Sequence, residues 1–364
     1  MSKLNIKIIG CVGLPPRYGG WETLANFLTL ELSGDFSFEV FCSSWNYDRQ
    51  LAEFNGARLR YLPLKANGVS SIFYDLISML LVSRSNSIKL VLGVSGCIFL
   101  PILKTFSKGY YVVNIDGHEW RRAKWGWLTK EFLKLSEAVA VHFADVVVVD
   151  NPVLAQYISR EYGINATTVA YGGDHCVPLP ISGKIIQAYP WVKSKYGFMV
   201  CRIEPENNIE MVLDCFSRQN VHTMVIVGNW KDSLFGRAMK EKYAQFEMLQ
   251  LIDAIYDQSV LDQIRSNAHF YVHGHSAGGT NPSLVEAMSL GLPVFAFRVD
   301  FNIATTFEEA FYFSTADELT ESIKLLSDED LDQCGRTMRQ IALENYNWRC
   351  IASKYREIFR KVSQ

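Results

Sequence analysis

Four short segments carry residue types from which a group-transfer site can be built. The most specific is Gly274-His275-Ser276-Ala277-Gly278-Gly279-Thr280-Asn281-Pro282-Ser283-Leu284-Val285-Glu286-Ala287-Met288. A small-residue loop runs into a helix for which Asn281 fits the N-cap and Pro282 the first position. Free N–H groups from Gly278, Gly279, Thr280 and on to Ser283 suit a diphosphate, and Glu286, one turn in, suits the hydroxyls of a ribose. The second segment is Cys201-Arg202-Ile203-Glu204-Pro205-Glu206-Asn207-Asn208. Arg202 stands at a strand end, where its permanently charged, planar fork of donors suits phosphate.

The third segment, Gly13 to Thr23, contains Arg17-Tyr18-Gly19-Gly20-Trp21-Glu22-Thr23. It lacks the Gly-x-Gly-x-x-Gly spacing of a dinucleotide site, but Gly19 and Gly20 at a helix start allow close approach of an anion. The fourth, Asn114 to Trp125, sets Asp116, His118 and Glu119 after a strand, for sugar hydroxyls or acid–base work, with Trp120 and Trp125 as stacking faces. Arg121, Arg122 and Lys124, interleaved with Trp125 and Trp127, suit the headgroup layer of a membrane. Asp328-Glu329-Asp330 follows Ser327 and reads as a solvated helix cap, so no metal site is expected. There is no His-Glu-x-x-His, Walker loop or Gly-x-Ser-x-Gly.

These segments need a scaffold, and the chain alternates strand and helix to supply one. Strands are expected at Leu4–Ile9, Phe38–Cys42, Leu59–Leu62, Lys89–Leu92, Tyr110–Ile115 and Val146–Val149, with helices at 21–32, 71–82 and 128–143. A Pro-containing stretch, Val177 to Pro190, reads as a linker. The alternation then restarts with strands at 198–202, 223–227, 269–272 and 294–297 and helices at 210–217, 260–266 and 282–290. Such alternation implies parallel sheets covered on both faces, hence two Rossmann-like, doubly wound α/β domains. A last helix, 348–361, has no strand after it and is free to return to the first domain. The expected boundaries are 1–180, 181–346 and 347–364. Ligands of such sheets collect at the carboxyl ends of the strands, and the cleft between two such domains is the expected place.

Composition narrows the partners. A chain of 364 residues with 49% hydrophobic and 20% charged residues is packed and globular, and a net charge of -2 gives no field for nucleic acid. Residues 1–184 carry +3 and residues 185–364 carry -5, so any attraction to anionic lipid belongs to the first half. The eight cysteines form no Cys-x-x-Cys pair and read as reduced core thiols. Without a leader-like apolar region or a run of about 18 apolar residues, the expected location is cytoplasmic, peripherally on the inner face of the membrane.

Together the four segments resemble the family-four glycosyltransferases, and more closely their bacterial rhamnosyltransferase-type subgroup. The matching residues are Arg17 to Thr23, Asp116 to Trp125, Arg202 to Asn208 and Gly274 to Met288. The resemblance implies a GT-B fold with a C-terminal cross-over helix, a nucleotide-sugar donor (dTDP-L-rhamnose first), retention of configuration and no cofactor or obligatory metal. It also implies a lipid-linked saccharide acceptor in capsule or O-antigen assembly. Only Glu286, Arg202 and the Gly278–Ser283 backbone carry over from it directly; Asp116, His118, Glu119 and Arg202 are expected at the chemistry and Arg17, Tyr18, Trp120 and Arg121 on the acceptor. Gly19, Gly20, Asn207, Gly278, Gly279, Thr280, Asn281, Ser283 and Glu286 join Arg202 on the donor. Two departures stand out: the first of the family's paired glutamates falls on Gly278, and its phosphate lysine on Asn207. A nucleotide-sugar 2-epimerase on the same fold, or a non-catalytic partner of a synthase complex, are the alternatives.

Overall fold

The computed structural model describes residues 3–17, 19–115, 117, 119–121, 125–218 and 222–364. Contacts divide them into two units, Met1–Tyr171 with Trp348–Gln364, and Gly172–Asn347.

The first unit holds β1 (Leu4–Ile9), α1 (Gly20–Leu32), β2 (Phe36–Ser43), β3 (Glu53–Phe54), β4 (Ala57–Leu62), α2 (Ser70–Val82), β5 (Ser87–Leu92), α3 (Leu100–Lys104), β6 (Gly109–Ile115), α4 (Trp127–Phe143), β7 (Val146–Val149), α5 (Pro152–Tyr162) and β8 (Thr167–Thr168). Among the described residues its sheet has eight strands in the order β3-β4-β2-β1-β5-β6-β7-β8, all parallel except the β3–β4 edge pair. The central strands are apolar almost throughout (every residue of β5 is buried) because helices cover both faces. The crossovers through α2, α3 and α4 all step the same way along the sheet, which by the right-handed rule puts these helices on one face.

The second unit holds α6 (Gly183–Ala188), β9 (Tyr196–Val200), α7 (Ile209–Ser217), β10 (Thr223–Gly228), α8 (Leu234–Tyr243), β11 (Leu249–Asp253), α9 (Gln258–Arg265), β12 (Phe270–His273), α10 (Pro282–Ser289), β13 (Val294–Phe297), α11 (Asp300–Thr305), β14 (Phe311–Phe313), α12 (Ala316–Leu325) and α13 (Asp328–Asn345). Its six described strands are parallel in the order β11-β10-β9-β12-β13-β14. The strand order reverses between β1 and β5 in one sheet and between β9 and β12 in the other. Loops at such switch points are where open α/β sheets bind ligands. Three of the four motif segments follow β1, β9 and β12, and the fourth follows β6, beside β5.

The last helix, α14 (Trp348–Val362), belongs to the first unit. Trp348 stacks on Phe27 of α1 at 4.4 Å, Phe359 meets Phe36 edge to face, and Asn114 donates to the Tyr355 hydroxyl at 2.6 Å. An aromatic pair of this kind contributes about 0.5–1.5 kcal/mol beyond its buried area. Arg356 adds an ion pair to Asp35 at 2.7 Å.

The 177–190 stretch is not a free linker. Leu179 and Ser182 donate their N–H groups to Ser266 and Gln263, and 183–188 forms the short α6 with Ile185 as its one buried residue. One buried position gives no period to read. The strand expected at 198–202 runs 196–200, so Arg202 stands two residues past its end. All eight cysteines are free thiols. Asp330 closes a capping box with Ser327, and Asp328 pairs with Lys195 at 2.7 Å, as a solvated cap would.

Candidate functional site

In the second unit the loops after β9 and β12 are locked together. Ser276 donates both its N–H and its hydroxyl to the Glu206 carbonyl at 2.8 Å, and the Asn208 amide donates to the Gly274 carbonyl at 2.8 Å. Asn208 itself is left-handed (φ 50°), which ends the 205–207 turn and opens α7. Arg202 in this pair of loops is exposed, and its guanidinium has no hydrogen bond or ion pair among the described residues. The expected donor ligand Asn207 ends the 205–207 turn. Its side chain is buried and donates to the Arg202 carbonyl at 2.6 Å, so it shapes the loop.

Asn281 and Ser283, also expected on the donor, bond each other at the start of α10. The Asn281 side chain accepts from the Ser283 N–H (3.2 Å) and hydroxyl (2.9 Å), and Ser283 accepts from Tyr271 (3.0 Å). Short polar side chains beside a helix start bond their own backbone first. Thr280 is buried. What the segment leaves for a ligand is backbone: the N–H groups of Gly278 and Gly279 have no protein acceptor among the described residues. Upstream, His273 ends β12 fully buried, its imidazole pushed down to about 3 by burial and stacked on His275 at 4.4 Å.

Glu286 sits in a network that its motif does not disclose. Arg265, at the end of α9, donates to it at 2.6 Å, and His175 lies 3.2 Å from its other oxygen. The same guanidinium reaches Asp262 (2.7 Å) and the Cys176 sulfur (2.6 Å). Burial alone would raise the Glu286 carboxyl, but Arg265 and His175 outweigh it and hold it below the ordinary range. His175 reaches this position because Gly173 crosses α10 so closely that a Cβ there would stand 2.3 Å from the Val285 carbonyl oxygen. The His175, Cys176 and Glu286 ligand atoms lie within 4.8 Å of one another, with Arg265 supplying the positive charge at two of the three. Asp262 and Arg265, three apart on α9, were the legible sign of this network.

In the first unit, Glu22 in the first turn of α1 is buried and accepts from the Val12 N–H at 2.6 Å, and burial raises its carboxyl. Gly19, at φ 135°, lies so close that a Cβ would stand 2.1 Å from a Glu22 oxygen, and Gly20 opens α1 directly after it. Arg17 is exposed, its guanidinium 5.2 Å above the Tyr47 ring; Tyr18 lies outside the described residues.

Asp116, His118, Arg122 and Lys124 of the β6 loop lie outside the described residues. Glu119, expected at the chemistry, accepts from the Trp125 indole at 3.1 Å and so braces the 119–121 turn. Trp120, expected at the acceptor, is partly buried and packs against the helix-covered core. Arg121 and Lys134 place their charges 4.9 Å and 5.2 Å from its ring. Arg121 itself is exposed.

Family models cover both units. Residues 3–174 match a domain of unknown function (DUF1972), and residues 183–341 match glycosyl transferases group 1. Among solved structures, sucrose-phosphate synthase from Thermosynechococcus elongatus is similar at 15% identity and TM-score 0.81, over 99% of each chain. Anabaena HepE in complex with UDP-glucose is similar at 12% and 0.75, over 98% of this chain and all of the other. The catalytic domain of starch synthase IV from Arabidopsis thaliana, bound to ADP and acarbose, is similar at 12% and 0.70 over the full length of both. Identities this low establish the fold, which is the α/β GT-B fold of two Rossmann-like domains. On that fold, residues 183–341, which hold the interlocked loops after β9 and β12 and Glu286, match the glycosyl transferases group 1 model.

Proposed function

We propose that the chain is a retaining glycosyltransferase that moves a sugar from a nucleotide-sugar donor, dTDP-L-rhamnose first, onto a lipid-linked saccharide in capsule or O-antigen assembly. The observation that carries the donor half is the pair of interlocked loops at the β9/β12 switch point. They offer an uncommitted Arg202, unpaired N–H groups at Gly278 and Gly279, and the ionised Glu286. The similar HepE structure contains UDP-glucose, which supports a nucleotide-sugar donor. As the bond between sugar and diphosphate breaks, charge grows on the leaving diphosphate, where oriented donors and Arg202 stabilise it. The acceptor hydroxyl attacks from the face the diphosphate leaves, its proton passing to a phosphate oxygen or to Asp116. Arg202 supplies this charge balance without a divalent ion. Release of nucleoside diphosphate coupled to sugar transfer tests this reading.

The lipid half rests on the outer side of α2, α3 and α4. Phe73, Ile77, Leu80 and Leu81 of α2, Ile102 of α3 and Trp127, Leu128 and Leu135 of α4 are all exposed; Trp127 is 72% exposed. An apolar surface spread over three neighbouring helices of one sheet face exceeds the scattered apolar residues of an ordinary surface. The one acid of α2, Asp75, is buried, α3 has none, and Arg84, Lys108 and Arg121 lie exposed near these elements. No described helix is long and apolar enough to cross a membrane. The chemistry fits peripheral docking on an anionic bilayer, which an epimerase acting on a free nucleotide sugar does not need.

Co-sedimentation with phosphatidylglycerol vesicles is therefore expected, with little pelleting on phosphatidylcholine. Leu80→Glu with Ile102→Glu should abolish it. Reversing Arg121, Arg122 and Lys124 should weaken it by about 1 kcal/mol per charge. High salt should act like the charge reversal, the attraction decaying over a Debye length of about 8 Å at physiological ionic strength. Equal pelleting with both lipids, or with neither, would contradict the membrane assignment.

A further inference from the structure

Glu206 lies in the single turn 205–207 that joins β9 to α7, and its side chain has a conspicuous feature. One carboxylate oxygen, Oε2, is buried with no hydrogen-bond partner among the described residues. A buried acceptor left without a donor is destabilising, more so when it carries charge. Such a group persists where something outside the protein completes it.

Its position says what that something is. The Glu206 carbonyl is gripped twice by Ser276, so the residue is fixed to the loop that leads, two residues on, to Gly278. Gly278 has no side chain, and no atom lies within 4 Å of where its Cβ would stand. Glu286 already accepts from Arg265 on one oxygen and faces His175 with the other. At this junction of loops, Glu206 has a buried, unused oxygen, and Gly278 marks open space.

We propose that Glu206 supplies the carboxylate that accepts hydrogen bonds from the hydroxyls of the donor's transferred sugar. This rests on the nucleotide-sugar reading above. Adjacent hydroxyls are donors, an ionised carboxylate is acceptor-only, and the match fixes the sugar's orientation without touching the nucleotide.

The test separates sugar from nucleotide. Glu206→Gln and Glu206→Ala are titrated calorimetrically with dTDP, and their donor turnover is measured with dTDP-L-rhamnose; UDP and UDP-glucose form a second pair. The expected result is a fall in kcat/KM for the nucleotide sugar of at least about tenfold. Affinity for the bare diphosphate should stay within twofold of wild type, and the Gln variant should keep more turnover than Ala. Equal losses for diphosphate and nucleotide sugar would make Glu206 a structural residue of its loop, and no loss would remove it from the site; either overturns the proposal. Wild-type protein that binds neither diphosphate would overturn the nucleotide-sugar reading, and this inference with it.

Discussion

Arg202→Gln is expected to lower kcat for donor cleavage about 100- to 1,000-fold, the usual effect of removing one oriented donor from developing negative charge. Its stability should change by no more than about 0.5 kcal/mol, because Arg202 is exposed and has no partner among the described residues to lose. Few side chains allow this separation of chemistry from folding. Lysine at the same place keeps the charge but loses the fork of donors, so Arg202→Lys should fall between the two. Turnover under saturating donor and a thermal melt decide it. Arg202→Gln with turnover within a few fold of wild type would mean that the diphosphate charge is met elsewhere.

Arg265→Met is expected to be the most destabilising single change in the second unit, by about 3–5 kcal/mol at neutral pH. The guanidinium is 3% exposed and bonds Glu286, Asp262 and Cys176. Removing it leaves two carboxylates facing a thiol and His175 without their cation. The pH dependence has a definite sign. In the wild type the Glu286 carboxyl is held below its unfolded value, so its contribution is complete above that value and is lost as pH falls through the folded one. Without Arg265, burial raises Glu286 and only His175 opposes it. The deficit of the variant should therefore be largest at neutral and alkaline pH and shrink on acidification. Urea unfolding at pH 5 and pH 8 measures this, and Arg265→Met with Glu286→Gln should recover much of the loss. A deficit independent of pH would mean that lost packing, not the uncompensated carboxylates, is responsible.

The four motif segments and the strands that carry them were legible because each pairs an apolar run with Gly, Pro or a charged residue at its end. What side chains do inside those segments was less so. Asn207, Asn281, Ser283 and Glu119 have the chemistry of ligands, yet each also bonds within its own loop or cap, where a backbone carbonyl, a backbone N–H or a neighbouring indole lies at hand. Conversely Arg265 and His175, which hold Glu286, are remote from it in sequence, and only the crossing of Gly173 over α10 brings His175 there. Among the elements, α5 escaped periodicity although Asn151 caps it, Pro152 opens it and Gly163 closes it at φ 69°. The long α13 is polar on most of its surface, so its capping box was a clearer sign than its apolar face. The two-residue β3 is too short to show alternation.

Transfer of a sugar from a nucleotide to a lipid-borne acceptor by this chain alone can be followed with labelled donor. Purified protein with radiolabelled dTDP-L-rhamnose, membranes carrying lipid-linked saccharide and excess EDTA measures it directly, with labelled UDP-glucose as the second donor. Label is expected to enter the organic-extractable fraction with an equal amount of nucleoside diphosphate released; added magnesium should change neither, and Arg202→Gln should suppress both. Label that stays water-soluble with both donors, or returns as an isomerised sugar without entering lipid, would contradict it.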